Sequence, residues 1–71
     1  MNVRYSMTIQ WSDEDQTYIA SLPEWGDLPH THGDTYEEAL DRGKELLEAL
    51  IATRRLAGQS LPEPRIYAAS T

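Results

Sequence analysis

Seventy-one residues allow one domain, and a chain of this size buries only about 60% of its unfolded surface, which leaves a marginal core. There is no cysteine, so neither a disulfide nor a thiolate metal site can supplement that core, and burial against another chain is the remaining route. Twelve acidic against six basic side chains give a net charge of −6, which argues against direct nucleic-acid binding and suits a basic protein partner, although acidity of this size also serves solubility alone. The N-terminus lacks a basic-then-apolar signal segment, and no run approaches 18 apolar residues. These features lead us to expect a soluble cytoplasmic protein, a single domain over 1–71 with an ordered core at about 3–67, and a homo-oligomer, dimeric or higher.

In chain order, residues 4 to 11 alternate. Tyr5, Met7, Ile9 and Trp11 fall on one face, and Arg4, Ser6, Thr8 and Gln10 on the other, the period of a half-buried strand. Ser12 to Gln16 is a polar turn, and Thr17 to Leu22 is a second strand, with Tyr18, Ala20 and Leu22 on one face and Ile19 and Ser21 on the other. The short turn predicts an antiparallel hairpin. Pro23 ends the second strand, because it cannot donate to a ladder. Glu24 to Pro29 is a loop, and residues 28 to 32 read as a short third strand leading to Gly33.

Gly33-Asp34-Thr35-Tyr36-Glu37-Glu38-Ala39-Leu40 opens the one long helix. Thr35 is its cap, and Glu38, three residues on, can reach back to the Thr35 amide. Gly33 is expected to turn the incoming chain through a positive φ. The helix should run from about Tyr36 to about Ala57. Tyr36, Ala39, Leu40, Gly43, Leu47, Leu50 and Ile51 form its apolar stripe, widened by Leu46. Gly43 inside that stripe predicts close approach of helix to sheet. Gly58 is the stop. Leu61-Pro62-Glu63-Pro64 is an extended connector, Arg65 to Tyr67 could add a short edge strand, and Ala68 to Thr71 should fray.

Four constellations could carry chemistry. His30-x-His32-x-Asp34 would share one strand face and could meet a zinc ion, but Asp34 is better used at the helix start, and no metal site is expected. A two-metal nuclease needs converging carboxylates, and residues 4 to 11 contain none. No nucleophile–base pair is evident, so neither catalysis nor a cofactor is expected. Of the aromatics, Tyr5, Trp11 and Tyr18 read as core residues. Trp25, flanked by Glu24 and by Gly26-Asp27, is either an exposed anchor for a basic partner or a loop side chain folded back over the core. The candidate partner-binding residues are Trp25, Glu24 and Asp27, together with the acidic turn Asp13, Glu14 and Asp15.

Tyr18-Ile19-Ala20-Ser21-Leu22-Pro23-Glu24, then Gly33 to Leu40, then Leu61-Pro62-Glu63-Pro64 resembles the N-terminal domain of HicB-family antitoxins in motif order and spacing, over positions 4 to 67. The loop after Pro23 departs from the family's usual glycine and small residue by being acidic and carrying a tryptophan. The resemblance implies an α+β fold of the partial RNase H type: a three-stranded antiparallel sheet, one long helix packed across it, and a possible short fourth strand. It implies a type II antitoxin that occludes a basic HicA-type toxin, an enzyme that cleaves mRNA. Full-length members usually add a C-terminal DNA-binding domain, and none is expected within these residues. The alternative is a stand-alone domain of the same fold, a homo-oligomeric scaffold or small-ligand binder with no toxin partner.

Overall fold

The computed structural model of the chain describes residues 3–67, so the expected fraying of Ala68 to Thr71 lies outside the described residues. Strands β1 (Thr8–Ser12), β2 (Thr17–Ser21) and β3 (His30–Gly33) precede one helix, α1 (Tyr36–Leu56). The sheet order is β1-β2-β3, with both pairings antiparallel, so the fold is α+β as expected. Among the described residues no helix is long and apolar enough to cross a membrane.

The register sorts every strand residue onto one of two faces. Ile9, Ala20 and Thr31 form one row, and Trp11, Tyr18 and Gly33 the next, on the side that meets the helix. Thr8, Ser21 and His30, then Gln10, Ile19 and His32, line the opposite face. Helix α1 lies over β3 and β2 and barely reaches β1. Leu22, Trp25, Leu47 and Ile51 form the buried cluster, with Val3, Tyr5, Met7, Leu46, Leu50 and Leu61 packed against it.

The first strand is shorter than its alternation predicts, starting at Thr8 and not at Arg4. The cause lies in its partner. Extending the observed register would set Ser6 opposite Pro23, which has no N–H to give. The Ser6 carbonyl would find no donor there, and the Ser6 N–H is given to the carboxylate of Glu24, at 2.9 and 3.1 Å from its two oxygens. The same carboxylate accepts the Arg65 N–H at 2.9 Å. Glu24 therefore occupies the gap where a fourth strand would pair, and Arg65 to Tyr67 form no strand. Pro62 and Pro64 remove two further donors from that segment. It is held by side-chain contacts instead, with the Tyr5 hydroxyl donating to the Pro62 carbonyl at 2.7 Å.

Both helix ends follow their sequence signals. Thr35 is extended at φ −130°, and its Oγ1 accepts the Glu38 N–H at 3.0 Å. Glu38 reaches back one residue further than expected, accepting the Asp34 N–H at 2.8 Å and not that of Thr35. At the other end, Gly58 takes φ +70°, its N–H donates to the Arg55 carbonyl, and the Gln59 N–H donates to that of Arg54. This pair of bonds is a Schellman closure.

Gly33 is needed for a different reason from the one expected, since its φ is not positive. A Cβ there would sit 2.8 Å from the Glu38 carbonyl carbon and 2.9 Å from the Ala39 Cα, so the strand end runs directly against helix backbone. Gly43 does let the helix approach the sheet: a Cβ there would meet the Met7 sulfur at 2.6 Å and the Ala20 Cβ at 3.4 Å. The buried stripe is narrower than its sequence spacing suggests, consisting of Ala39, Gly43, Leu47 and Ile51. Tyr36 and Leu40 lie on its β1 side, which the sheet leaves uncovered, and are 59% and 37% exposed. For the same reason Trp11, expected in the core, is 48% exposed.

Candidate partner-binding surface

The acidic turn is the four-residue connection between β1 and β2. Asp13, Glu14 and Asp15 are all exposed on it. Its shape is fixed locally. The Ser12 Oγ accepts the Asp15 N–H at 3.2 Å, and Gln16 closes the turn in the left-handed region at φ +54°, its amide donating to the Asp13 carbonyl. The Asp13 carboxylate accepts the Trp11 indole N–H at 2.7 Å. One member of the acidic group is thus tied to an exposed aromatic, while Glu14 projects without a partner among the described residues. Three carboxylates over three residues, with no cation paired to them among the described residues, make this the most negative stretch of backbone in the chain.

The second acidic group lies at the other end of β2. The loop from Leu22 to Pro29 is closed by the Leu22 N–H donating to the Pro29 carbonyl at 3.1 Å. Within it, Trp25 N–H donates to the Leu22 carbonyl and Leu28 N–H to the Trp25 carbonyl. Leu28 holds a left-handed φ of +49°, an uncommon conformation for a branched side chain. This tight path turns the Trp25 side chain inward.

Trp25 is 3% exposed, so it is a core residue and not an exposed anchor. Its ring packs 5.5 Å from that of Tyr5, and the Arg54 guanidinium stands 5.2 Å above it. Its indole nitrogen has no hydrogen-bond partner among the described residues.

Glu24 is likewise committed inward, as the shared acceptor for Ser6 and Arg65. Burial acts to raise its pKa, but the N–H donors of Arg65 and Ser6 together outweigh that and hold it below the ordinary value of 4.5. Asp27 remains exposed. The six candidate residues therefore do not form one surface. Asp13, Glu14 and Asp15 stand at one end of β2, Asp27 at the other, and Glu24 and Trp25 serve the fold.

A shallow depression of about 530 Å³ lies on the sheet face opposite the helix, lined by Asp15, Gln16, Thr17, Ile19, His30, His32 and Asp34. The strand register is the signal that would have found it, because it sets His32 beside Ile19 and His30 beside Ser21 on that face. It is open, with a lining that mixes polar side chains with apolar surface, and among the described residues no three His or acidic side chains meet closely enough to hold a metal ion. Compared with family descriptions, with characterised proteins and with solved structures, the chain returns no match in any of the three. What the fold and this surface define is a small acidic α+β domain with one dense negative turn and, among the described residues, a sheet face opposite the helix and a first strand that the helix barely reaches.

Proposed function

We propose that this chain is a HicB-like antitoxin, a cytoplasmic protein that binds a basic mRNA-cleaving toxin and occludes its active site, without itself catalysing a reaction or holding a cofactor. The observation that carries the reading is the motif order: Tyr18-x-Ala20-x-x-Pro23, Gly33-Asp34-Thr35-x-Glu37-Glu38-Ala39, then Pro62-x-Pro64. The three-stranded sheet with one helix is the architecture that the resemblance implies, and supports the reading at that level. With Glu24 and Trp25 committed to the fold, the proposed contact surface is the turn Asp13-Glu14-Asp15, with Asp27 as a separate flank.

Charge then steers the encounter. Reversing the charges at 13 to 15 is expected to slow association with the toxin, by a factor that shrinks as salt rises, and to change dissociation less. Both rate constants, measured at low and high salt, check this. A pure sample should leave RNA intact with or without Mg²⁺. The reading fails if a basic toxin encoded beside this chain neither binds it nor loses activity in its presence. The second reading, a homo-oligomeric domain with no toxin, is favoured by the exposed aromatic residues Trp11 and Tyr36. A native pull-down that recovers only further copies of this chain would support it over the first.

A further inference from the structure

Strand β3 carries His30 and His32, whose side chains neither the core nor the helix caps use. Alternate residues of a strand share a face and stand about 7 Å apart at their Cα atoms. The register puts both histidines on the face opposite the helix, His30 beside Ser21 and His32 beside Ile19. Both are exposed, and both line the depression there, together with Asp15 and Asp34. Among the described residues neither ring is engaged by another side chain.

The backbone beneath the two rings is braced. Strand β3 pairs with β2 along its length, and the His32 carbonyl accepts from the Arg42 guanidinium at 3.1 Å. Arg42 is itself held by Glu38, 3.6 Å away. His30 Nδ1 lies 3.5 Å from the Leu28 carbonyl. A carbonyl only accepts, so this contact sets the proton on Nδ1 and leaves the Nε2 lone pair of His30 for an ion.

The Asp34 N–H is taken up by Glu38 at the helix start, and among the described residues no third donor closes a zinc site. Two imidazoles suit a different ion. Late first-row divalent cations accept imidazole readily, and copper(II) binds tightest of them, in a square arrangement whose remaining positions water can fill. With metal–nitrogen bonds of about 2 Å, neighbouring corners of that square lie about 3 Å apart, a gap that two imidazoles on one strand face close by leaning together. The carboxylates of Asp15 and Asp34 at the same depression supply countercharge, and the net charge of −6 favours a cation.

We infer that His30 and His32 together bind one late first-row divalent cation, copper(II) most tightly, through their ring nitrogens. Water fills the remaining positions, and Asp15 and Asp34 contribute charge without bonding the metal. With only two protein donors, the ion exchanges with solution and is not a resident cofactor. The site does not rest on the toxin reading.

The test uses the full chain without an affinity tag, in a buffer that does not chelate. Titration calorimetry with copper(II) chloride should show one ion bound per chain, and nickel(II) should occupy the same site more weakly. Electron paramagnetic resonance of the copper complex should show hyperfine structure from two nitrogens. His30→Ala and His32→Ala should each weaken copper binding about tenfold or more and leave one nitrogen in the spectrum, and the double variant should lose the site. Both side chains are exposed, so circular dichroism of these variants should match the wild type. Asp15→Asn combined with Asp34→Asn should weaken binding by less than about tenfold and keep both nitrogens. The inference is overturned if the wild type shows no saturable copper binding, or a spectrum with fewer than two nitrogens. It is overturned equally if the double histidine variant binds as the wild type does, since the ion then sits on the acidic turn or the N-terminal amine.

Discussion

Glu24 is the residue on which most of the unexpected structure turns. Its carboxylate takes two backbone donors that no strand supplies with partners, those of Ser6 and Arg65. Hydrogen bonds to a charged acceptor are worth about 1.5–3 kcal/mol where buried, and partial exposure reduces this, so Glu24→Gln should cost about 1–2 kcal/mol in a urea titration. The pH dependence follows from the lowered pKa. The contribution is complete above the ordinary value of 4.5 and declines as pH falls toward the lower folded value, where the carboxyl protonates in the folded state too. The difference between wild type and Glu24→Gln should therefore narrow below pH 4.5 and stay constant above it. Beside it, Trp25 acts through the core. Trp25→Ala should cost about 3–5 kcal/mol, a loss seen in stability before any binding assay is reached.

At the scale of elements, the two buried glycines separate two kinds of close approach. Gly33 faces helix backbone, which cannot move without breaking the helix start, whereas Gly43 faces the flexible thioether of Met7. Gly33→Ala should cost about 1–3 kcal/mol or more. Gly43→Ala should cost less, because Met7 can rotate away and alanine regains about 1 kcal/mol of helix propensity. Thermal denaturation of the two variants checks the order. Much of this architecture was legible in the sequence: the period-two alternation placed the hairpin, the Thr35–Glu38 pair placed the helix start, and Gly58 placed its end. The parts not legible depend on contacts between distant segments. Alternation over residues 4 to 7 reads as strand, yet the ladder stops because Pro23 lies opposite. Trp25 in a polar loop reads equally as surface or core, and only the Leu22–Pro29 closure turns it inward. The stripe through Tyr36 and Leu40 has the spacing of a buried face, but helical spacing says nothing of how far the sheet extends beneath.

Across the whole molecule, the acidic residues divide by task. Glu38 and Glu24 complete the fold, while Asp13, Glu14 and Asp15 stay exposed with no cation paired to them among the described residues, although Asp13 accepts the Trp11 indole N–H and Asp15 the Ser12 hydroxyl. The same division explains why the candidate surface was only half legible: the sequence shows the number of carboxylates but not which of them backbone amides engage. Glu24 also leads us to expect an order of assembly. It lies 18 residues from Ser6 and 41 from Arg65, whereas the hairpin and the helix close over short spans. Long closures are the slowest to form and the readiest to open. The carboxylate is expected to act as a latch that fastens both end segments after the sheet and helix have formed, and to be released without melting either. In native-state hydrogen exchange the Ser6 and Arg65 amides should exchange together, at an opening free energy below that of the β2 amides, and faster as the pH drops below 4.5 once corrected for intrinsic rates.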